Sequence, residues 1–144
     1  CTCSATTLLN YQKKISGPLL DRIDMIIEMR RVPFEELTTT TPSGDTSEVV
    51  RKRVLHSRGI SSERLRDTPF SINAAMGAVE INKFCAINDD ARSLLHRASD
   101  EFHLSGRALH RILKVARTIA DMAGSEPILL PHIAEALQYR IKKG

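Results

Sequence analysis

Tryptophan is absent from this sequence, and the aromatic residues together make up only 4% of its 144 residues. A hydrophobic core must therefore be built from aliphatic side chains. Because strands of β-sandwiches and barrels are rich in aromatic and β-branched residues, this composition favours packed helices. The hydrophobic share of 42% and the charged share of 26% are ordinary for a globular domain. The chain is long enough to bury a core of its own.

Long apolar runs are also missing. No stretch reaches the roughly 18 apolar residues of a transmembrane helix, and no signal peptide pattern is found. The three cysteines are an odd number and do not form a disulfide framework, so we expect a cytoplasmic protein. Because the chain opens on Cys1 rather than on methionine, we expect it to be part of a longer protein.

The motifs of a self-sufficient nucleotide hydrolase are missing too. The phosphate loop G-x-x-x-x-G-K-[ST] does not occur, and neither does an acidic strand end that could hold Mg²⁺. The five histidines are scattered without metal-ligand spacing. We therefore expect this chain alone to be inactive as an ATPase. Its net charge of +4 permits contact with nucleotides or nucleic acid without requiring it.

The hydrophobic pattern divides the chain into three parts. Residues 1–31 end in the apolar run IDMIIEM (23–29), which is typical of a strand buried on both faces. Since one strand is not stable alone, we expect the rest of its sheet to lie upstream. Residues 32–47 are rich in threonine and proline and are predicted to be a linker. Residues 48–144 are predicted to be helical.

Turn and cap residues set the expected helix ends. Helices are predicted over 47–66, 74–84, 89–103 and 106–123, followed by a last helix that Pro131 opens. The expected N-caps are Ser47, Asn88 and Ser105, and Gly124 is expected to end the fourth helix. That helix has one apolar face. The residues predicted for its opposite, polar face are Arg107, His110, Arg111, Lys114 and Arg117.

Arg22 is the first candidate functional residue. It stands between Asp21 and Asp24 in ISGPLLDRID, after a Gly-Pro turn and before the apolar run. Arginine at such a junction is suited to a carboxylate or a phosphate. Local chemistry leaves two interpretations open: a structural ion pair with a nearby acid, or contact with a phosphate at a subunit edge.

Arg107 and Arg111 are the second candidates, one turn apart near the start of a predicted helix. Cations at a helix N-terminus oppose the helix dipole, so an anion nearby would explain them. A nucleotide phosphate or DNA would fit, and a solvated polar face is the alternative.

Cys1 and Cys3 form a C-x-C pair. Two thiolates at this spacing can bind zinc but need two further ligands. A zinc site would therefore require more cysteines upstream.

Five segments together resemble the bacterial magnesium-chelatase-like AAA+ ATPases, the group that includes the competence protein ComM. The segments are the C-x-C pair, YQKKISGPLLDRID, NAAMGAVEINKFCAIN, RALHRILKVARTIAD and HIAEALQYR. The resemblance runs from Cys1 to Arg140 and covers the C-terminal third of such proteins. It implies a mainly all-α fold: a helical AAA+ lid over 48–144, preceded by a short remnant of the α/β AAA+ core over 1–31.

The resemblance also implies roles for the candidate residues. Arg22 would be an arginine finger that reaches the γ-phosphate held by a neighbouring subunit. Arg107, in Ser105-Gly106-Arg107, is similar to a sensor 2 arginine, with Arg111 beside it. Cys1 and Cys3 would be the back half of a cysteine cluster, so zinc is possible in the full protein. ATP and Mg²⁺ would be its cofactors, and a ring, expected to be a hexamer, its assembly.

The function that the resemblance implies is an ATP-driven DNA motor for helicase or branch-migration work in recombination or DNA uptake. Two alternatives stay open. One is the ATPase subunit of a true magnesium chelatase. The other is a non-enzymatic helical module that binds DNA through the basic face of residues 107–117.

Overall fold

The computed structural model describes residues 2–12, 14, 19, 22–38 and 44–140. These residues are mainly α-helical, as predicted. The helices are α1 (Ala5–Gln12), α2 (Phe34–Thr38), α3 (Ser47–Leu65), α4 (Ala78–Phe84), α5 (Asp89–Glu101), α6 (Gly106–Met122) and α7 (Leu130–Gln138), with a 3₁₀ helix (Asn73–Ala75) between α3 and α4.

Side-chain caps explain where the long helices begin. The side chains of Asn88 and Ser105 accept the backbone N–H three residues on, so both predicted N-caps are confirmed. Gly124 adopts a φ of +66° just after α6, as expected of a residue that ends a helix. The predicted cap Ser47 is wrong by one residue. The cap of α3 is Thr46, whose backbone is extended and whose hydroxyl accepts the N–H of the third helical residue.

Helix α6 is the centre of the core. It packs against α3, α4, α7 and the 3₁₀ helix, and α5 packs against α7. The predicted apolar face of α6 is buried at Ile112, Ala116 and Ala120. The loops before α5 and α7 are joined by an isolated parallel bridge between Ile87 and Ile128. The fully buried apolar side chains are aliphatic, as the composition requires.

The strand predicted over 23–29 is not formed. Residues 25–33 have no regular secondary structure, and Met25, Ile27 and Met29 are exposed. A strand needs a neighbour for its backbone hydrogen bonds. Within 22–38 and 44–140, no named strand supplies one.

The predicted linker, 32–47, is not structureless. It contains the short helix α2 and the first residue of α3. Farther on, α3 buries Ser57, Ser61 and Leu65 in its C-terminal half, whereas Val50 and Val54 in its N-terminal half remain exposed. None of the described helices is long and apolar enough to cross a membrane.

Candidate functional site

The start of α6 carries positive rather than negative charge. Ser105 caps the helix, Arg107 is in its first turn, and this turn has no acidic residue. Helix α5, in contrast, begins with Asp89 and Asp90, the usual complement to a helix dipole. Arg107 is exposed and makes no ion pair within the described residues. The first-turn N–H groups that Ser105 does not cap, together with this guanidinium, favour an anion.

A cleft of about 390 Å³ lies between the first turns of α6 and α4. Its lining residues are Met76, Gly77, Ala78, Ile81, Gly106, Arg107, His110, Arg111 and Lys114. The lining contains three cations and an imidazole but no carboxylate. We call it the basic cleft. Arg107 and Arg111, which the sequence proposed together, do line it together.

Two cations of the basic cleft are held by other parts of the chain. Lys114 donates from Nζ to the carbonyl oxygen of Ala74, at 3.0 Å. Arg111 is 23% exposed and forms an ion pair from Nη1 to Oδ1 of Asp24. Arg111 Nε is buried and has no hydrogen-bond partner. A buried donor without a partner costs about 1–3 kcal/mol, so the guanidinium of Arg111 is incompletely satisfied while its Nη1 is bound to Asp24.

The basic cleft fits the phosphates of a nucleotide but not its metal ion. Phosphate oxygens are acceptors that suit the exposed guanidinium of Arg107 and the incompletely satisfied guanidinium of Arg111. The basic cleft therefore suits the phosphates of ATP. Mg²⁺ needs oxygen ligands such as carboxylates. No lining residue carries one, and the two carboxylates that contact the lining, those of Asp24 and Glu80, are already bound to Arg111 and to the N–H of Gly77. A metal ion would have to be held by residues outside this cleft.

Arg22 lies on a segment that is attached to the C-terminal helices. Its neighbour Asp24 pairs with Arg111, the N–H of Ile26 donates to the carbonyl of Tyr139 at 2.7 Å, and Arg140 donates to the carbonyl of Ile23. We call residues 22–26 the docked segment. Asp24 thus forms an ion pair with a side chain of α6.

The Arg22 side chain is exposed, and no ion pair to it occurs in the part of the chain that the structure describes. Its backbone N–H donates to the carbonyl of Leu19. A structural ion pair with Asp24, one of the two interpretations that the sequence left open, is therefore not formed. Asp21, the other neighbouring acid, lies outside the described residues.

The zinc prediction stays a prediction. Cys1 lies outside the described residues, and Cys3 has an exposed free thiol. Among the residues described, no group of three or more His, Cys, Asp or Glu side chains could hold a metal. Cys85 is not a reactive thiol, because burial raises its pKa to about 11, an effect that the nearby Arg117 and Arg64 only partly oppose.

The prediction that Arg117 lies on the polar face of α6 is wrong. Arg117 is 1% exposed, and its guanidinium donates to Asp121 Oδ1 and to the carbonyls of Ser125 and Glu126. Burial lowers the pKa of Arg117, although the charge of Asp121 raises it. An arginine this deep is stable only when paired and hydrogen-bonded.

Asp121 is the centre of a buried polar network that sequence reasoning missed. It is fully buried and accepts hydrogen bonds from Arg64, Asn73 and Arg117. Asn73 also accepts from Ser61, at 3.1 Å. The only sequence signal was the i,i+4 spacing of Arg117 and Asp121, which is equally common in exposed pairs.

Two family models match this chain, one for each part. The model described as magnesium chelatase, subunit ChlI C-terminal, matches residues 44–140, and that for magnesium chelatase, subunit ChlI, matches residues 1–37. The chain belongs to the magnesium chelatase ChlI family. The resemblance seen in the sequence motifs is therefore confirmed.

Individual relatives agree with the family models. Competence protein ComM of Haemophilus influenzae is 44% identical over 137 residues, which are 95% of this chain and 26% of that protein. The uncharacterized protein YifB of Escherichia coli is 36% identical over 138 residues, or 96% of this chain and 26% of YifB. Rv2897c of Mycobacterium tuberculosis is 33% identical over 140 residues, or 97% of this chain and 27% of that protein. This ChlI-family chain thus spans about a quarter of the length of these relatives.

Proposed function

We propose that this chain is the C-terminal part of a ring-forming AAA+ ATPase, and that its helical bundle is the lid that closes on ATP. The observation that carries the proposal is the basic cleft at the start of α6. Arg107 and Arg111 would bind the phosphates of a nucleotide that the same subunit holds. Mg²⁺ would be held elsewhere in the protein, because no residue that lines the cleft carries a carboxylate.

Arg22 would act on the nucleotide of a neighbouring subunit. Its exposure and its lack of an ion pair in the described chain support this role, since a finger arginine must be free to reach outward. A guanidinium stabilises the charge that spreads over the γ-phosphate oxygens during transfer, and such fingers contribute about 10³–10⁵ in rate. Supply from a neighbour makes hydrolysis depend on assembly of the ring.

The first test is ATP hydrolysis by the full-length protein. Arg22→Ala and Arg107→Ala should each abolish turnover and leave the helical content and unfolding midpoint unchanged, because both side chains are exposed. Arg92→Ala is the matched control: Arg92 is exposed on α5 and has no ion pair in the described chain. Normal turnover in Arg22→Ala or Arg107→Ala would contradict the proposal.

Mixing the two inactive variants tests which subunit each arginine serves. In a ring mixed at equal amounts, about a quarter of the sites would join an intact Arg107 to a neighbour's intact Arg22. Partial ATPase activity should therefore return on mixing. If both arginines acted within one subunit, every mixed site would remain inactive.

We further propose DNA as the substrate of the motor, in helicase or branch-migration work. The family resemblance implies this substrate, and the name of the Haemophilus relative, a competence protein, agrees with it. ATP hydrolysis by the full-length protein should rise on addition of branched or single-stranded DNA. A rise with a porphyrin-inserting partner complex instead would favour a true magnesium chelatase subunit.

A DNA-binding module without ATPase activity has less support. Its proposed surface was the basic face of residues 107–117, but Arg117 is buried and Arg111 is paired with Asp24. Tight, steeply salt-dependent binding of DNA by this chain alone would revive that alternative.

A further inference from the structure

Arg111 belongs both to the basic cleft and to the contacts of the docked segment. It lines the cleft, and its Nη1 holds Asp24. Arg111 and Asp24 are 87 positions apart in the chain, so this contact joins α6 to the segment that carries Arg22. The sequence contains no sign of this contact.

The Asp24–Arg111 ion pair is accessible to water, so a competing anion can replace it. Asp24 is 49% exposed and Arg111 is 23% exposed, and ion pairs that water reaches contribute little to stability. A phosphate group carries more negative charge than one carboxylate and presents more acceptor oxygens. A polyphosphate in the basic cleft would therefore compete well for Arg111.

Two further contacts of the docked segment, both within the described part of the chain, do not involve the cleft. Ile26 N–H donates to the carbonyl of Tyr139, and the Ile23 carbonyl accepts from Arg140. Both lie at the end of α7. Loss of the Asp24 contact would thus loosen the segment between these two attachments, so that the hydrogen bond of Ile26 opens more often.

We infer that Asp24 is a positioning residue, and that Asp24 and a phosphate group are alternative partners of Arg111. When no anion occupies the basic cleft, Asp24 holds the docked segment, and with it Arg22, against α6. When phosphate binds, Arg111 turns to it and releases Asp24. Whether phosphate occupies the cleft of one subunit then controls how freely Arg22 of that subunit can move toward the nucleotide of the next. This inference rests on the proposed function for its consequence, but the exchange of partners can be tested without hydrolysis.

The N–H of Ile26 reports directly on docking. Amide hydrogen exchange of this 144-residue chain should show Ile26 protected, and Asp24→Asn should lower that protection about twofold to tenfold. Glu28→Gln is the matched control, because Glu28 is an exposed carboxylate two residues beyond Ile26 without an ion pair in the described residues. It should leave the protection of Ile26 unchanged.

Inorganic tripolyphosphate supplies the competing anion. Added to the wild-type chain, it should lower the protection of Ile26 to the level of Asp24→Asn and have no further effect in that variant. Arg111→Gln should begin at the same low level and show no response. Protection of buried amides in α6 should not change in any variant, which separates release of the segment from general unfolding.

The inference is wrong if tripolyphosphate binds at the start of α6 and Ile26 keeps its protection, or if it does not bind. Equal protection of Ile26 in wild type and Asp24→Asn would also overturn it. None of these results alters the ATPase test of Arg22 and Arg107, so the inference and the proposed function can fail separately.

Discussion

His132 caps a helix with a side chain that titrates. Its Nδ1 accepts the backbone N–H of Leu129 at 3.1 Å, at the start of α7, and the residue is only 8% exposed. Nδ1 can accept a hydrogen bond only while it is unprotonated. Burial, together with the positive charge of Arg117, lowers the pKa of His132. Protonation would both remove this cap and place a cation at a helix N-terminus.

The unfolding free energy should therefore fall as the pH falls below about 6.5, the ordinary histidine pKa. In this range the unfolded chain binds a proton at His132 more readily than the native chain does, so acid favours unfolding. The slope from one such group is at most about 1.4 kcal/mol per pH unit. Urea unfolding between about pH 5 and 8 would measure it.

His132→Gln is the control for this prediction, because a glutamine as the third residue of a helix can accept the N–H of the N-cap residue and does not titrate. The variant should lack the acid-dependent loss that His132 causes. The same pH profile in wild type and variant would mean that His132 does not contribute.

Single residues on α6 show why the sequence predicted only part of the site. Arg107 and Arg117 were both predicted on the polar face of α6, yet one is exposed and the other has 1% exposure. Arg117 can be buried because Asp121 and the carbonyls of the following loop accept hydrogen bonds from its guanidinium. Periodicity carries no information about such distant partners. The position of Arg107, in contrast, follows from the serine cap two residues before it, which the local sequence shows.

At the scale of elements, two glycines should respond in opposite ways to the same substitution. Gly59 is in the exposed middle of α3, and a Cβ there would meet no atom within 4 Å. Gly124 has a φ of +66° after α6, where a side chain is strained. Gly59→Ala should raise the unfolding free energy by about 1 kcal/mol, and Gly124→Ala should lower it by about 1–2 kcal/mol.

Urea unfolding of the two variants beside wild type would check this pair. Each is the control for the other, since both exchange one glycine for alanine and neither position is crowded. If both variants shifted in the same direction, backbone conformation would not be what decides the change in stability at these two positions.

Helix starts were predictable and the strand was not, for a physical reason. A cap such as Ser105 or Asn88 acts on an amide three residues away, so the local sequence contains the whole interaction. The apolar run over 23–29 does not contain its own interaction partners, because the hydrogen bonds of a strand require a neighbouring strand. In this chain its first part is attached instead to Tyr139 and Arg140, more than a hundred positions away.

At the scale of the whole molecule, Asp121 joins three elements. It accepts from Arg64 on α3, from Asn73 on the 3₁₀ helix and from Arg117 on its own helix α6. Arg117 in turn holds the carbonyls of the loop before α7. This network fixes how α6 lies against the rest of the bundle, and therefore where Arg107 and Arg111 present their charges.

Asp121→Leu should lower the unfolding free energy by about 3–5 kcal/mol, because it leaves the buried charge of Arg117 without its counter-ion. Urea unfolding would measure the loss. Asp90→Leu, at an exposed carboxylate of the first turn of α5, is the control and should cost only about 0.3–1 kcal/mol.

The double variant Arg117→Met with Asp121→Leu shows how much of the loss in Asp121→Leu comes from leaving the charge of Arg117 buried and unpaired. Both buried charges are then gone, and Arg64, which is partly exposed, can turn to water. The double variant should be more stable than Asp121→Leu alone, since a buried pair replaced by apolar side chains is often nearly neutral. Arg117→Met alone supplies the second single loss. If the double variant loses the full sum of the two single losses, the guanidinium of Arg117 contributes mainly through the loop carbonyls that it holds, and the charge of Asp121 is secondary.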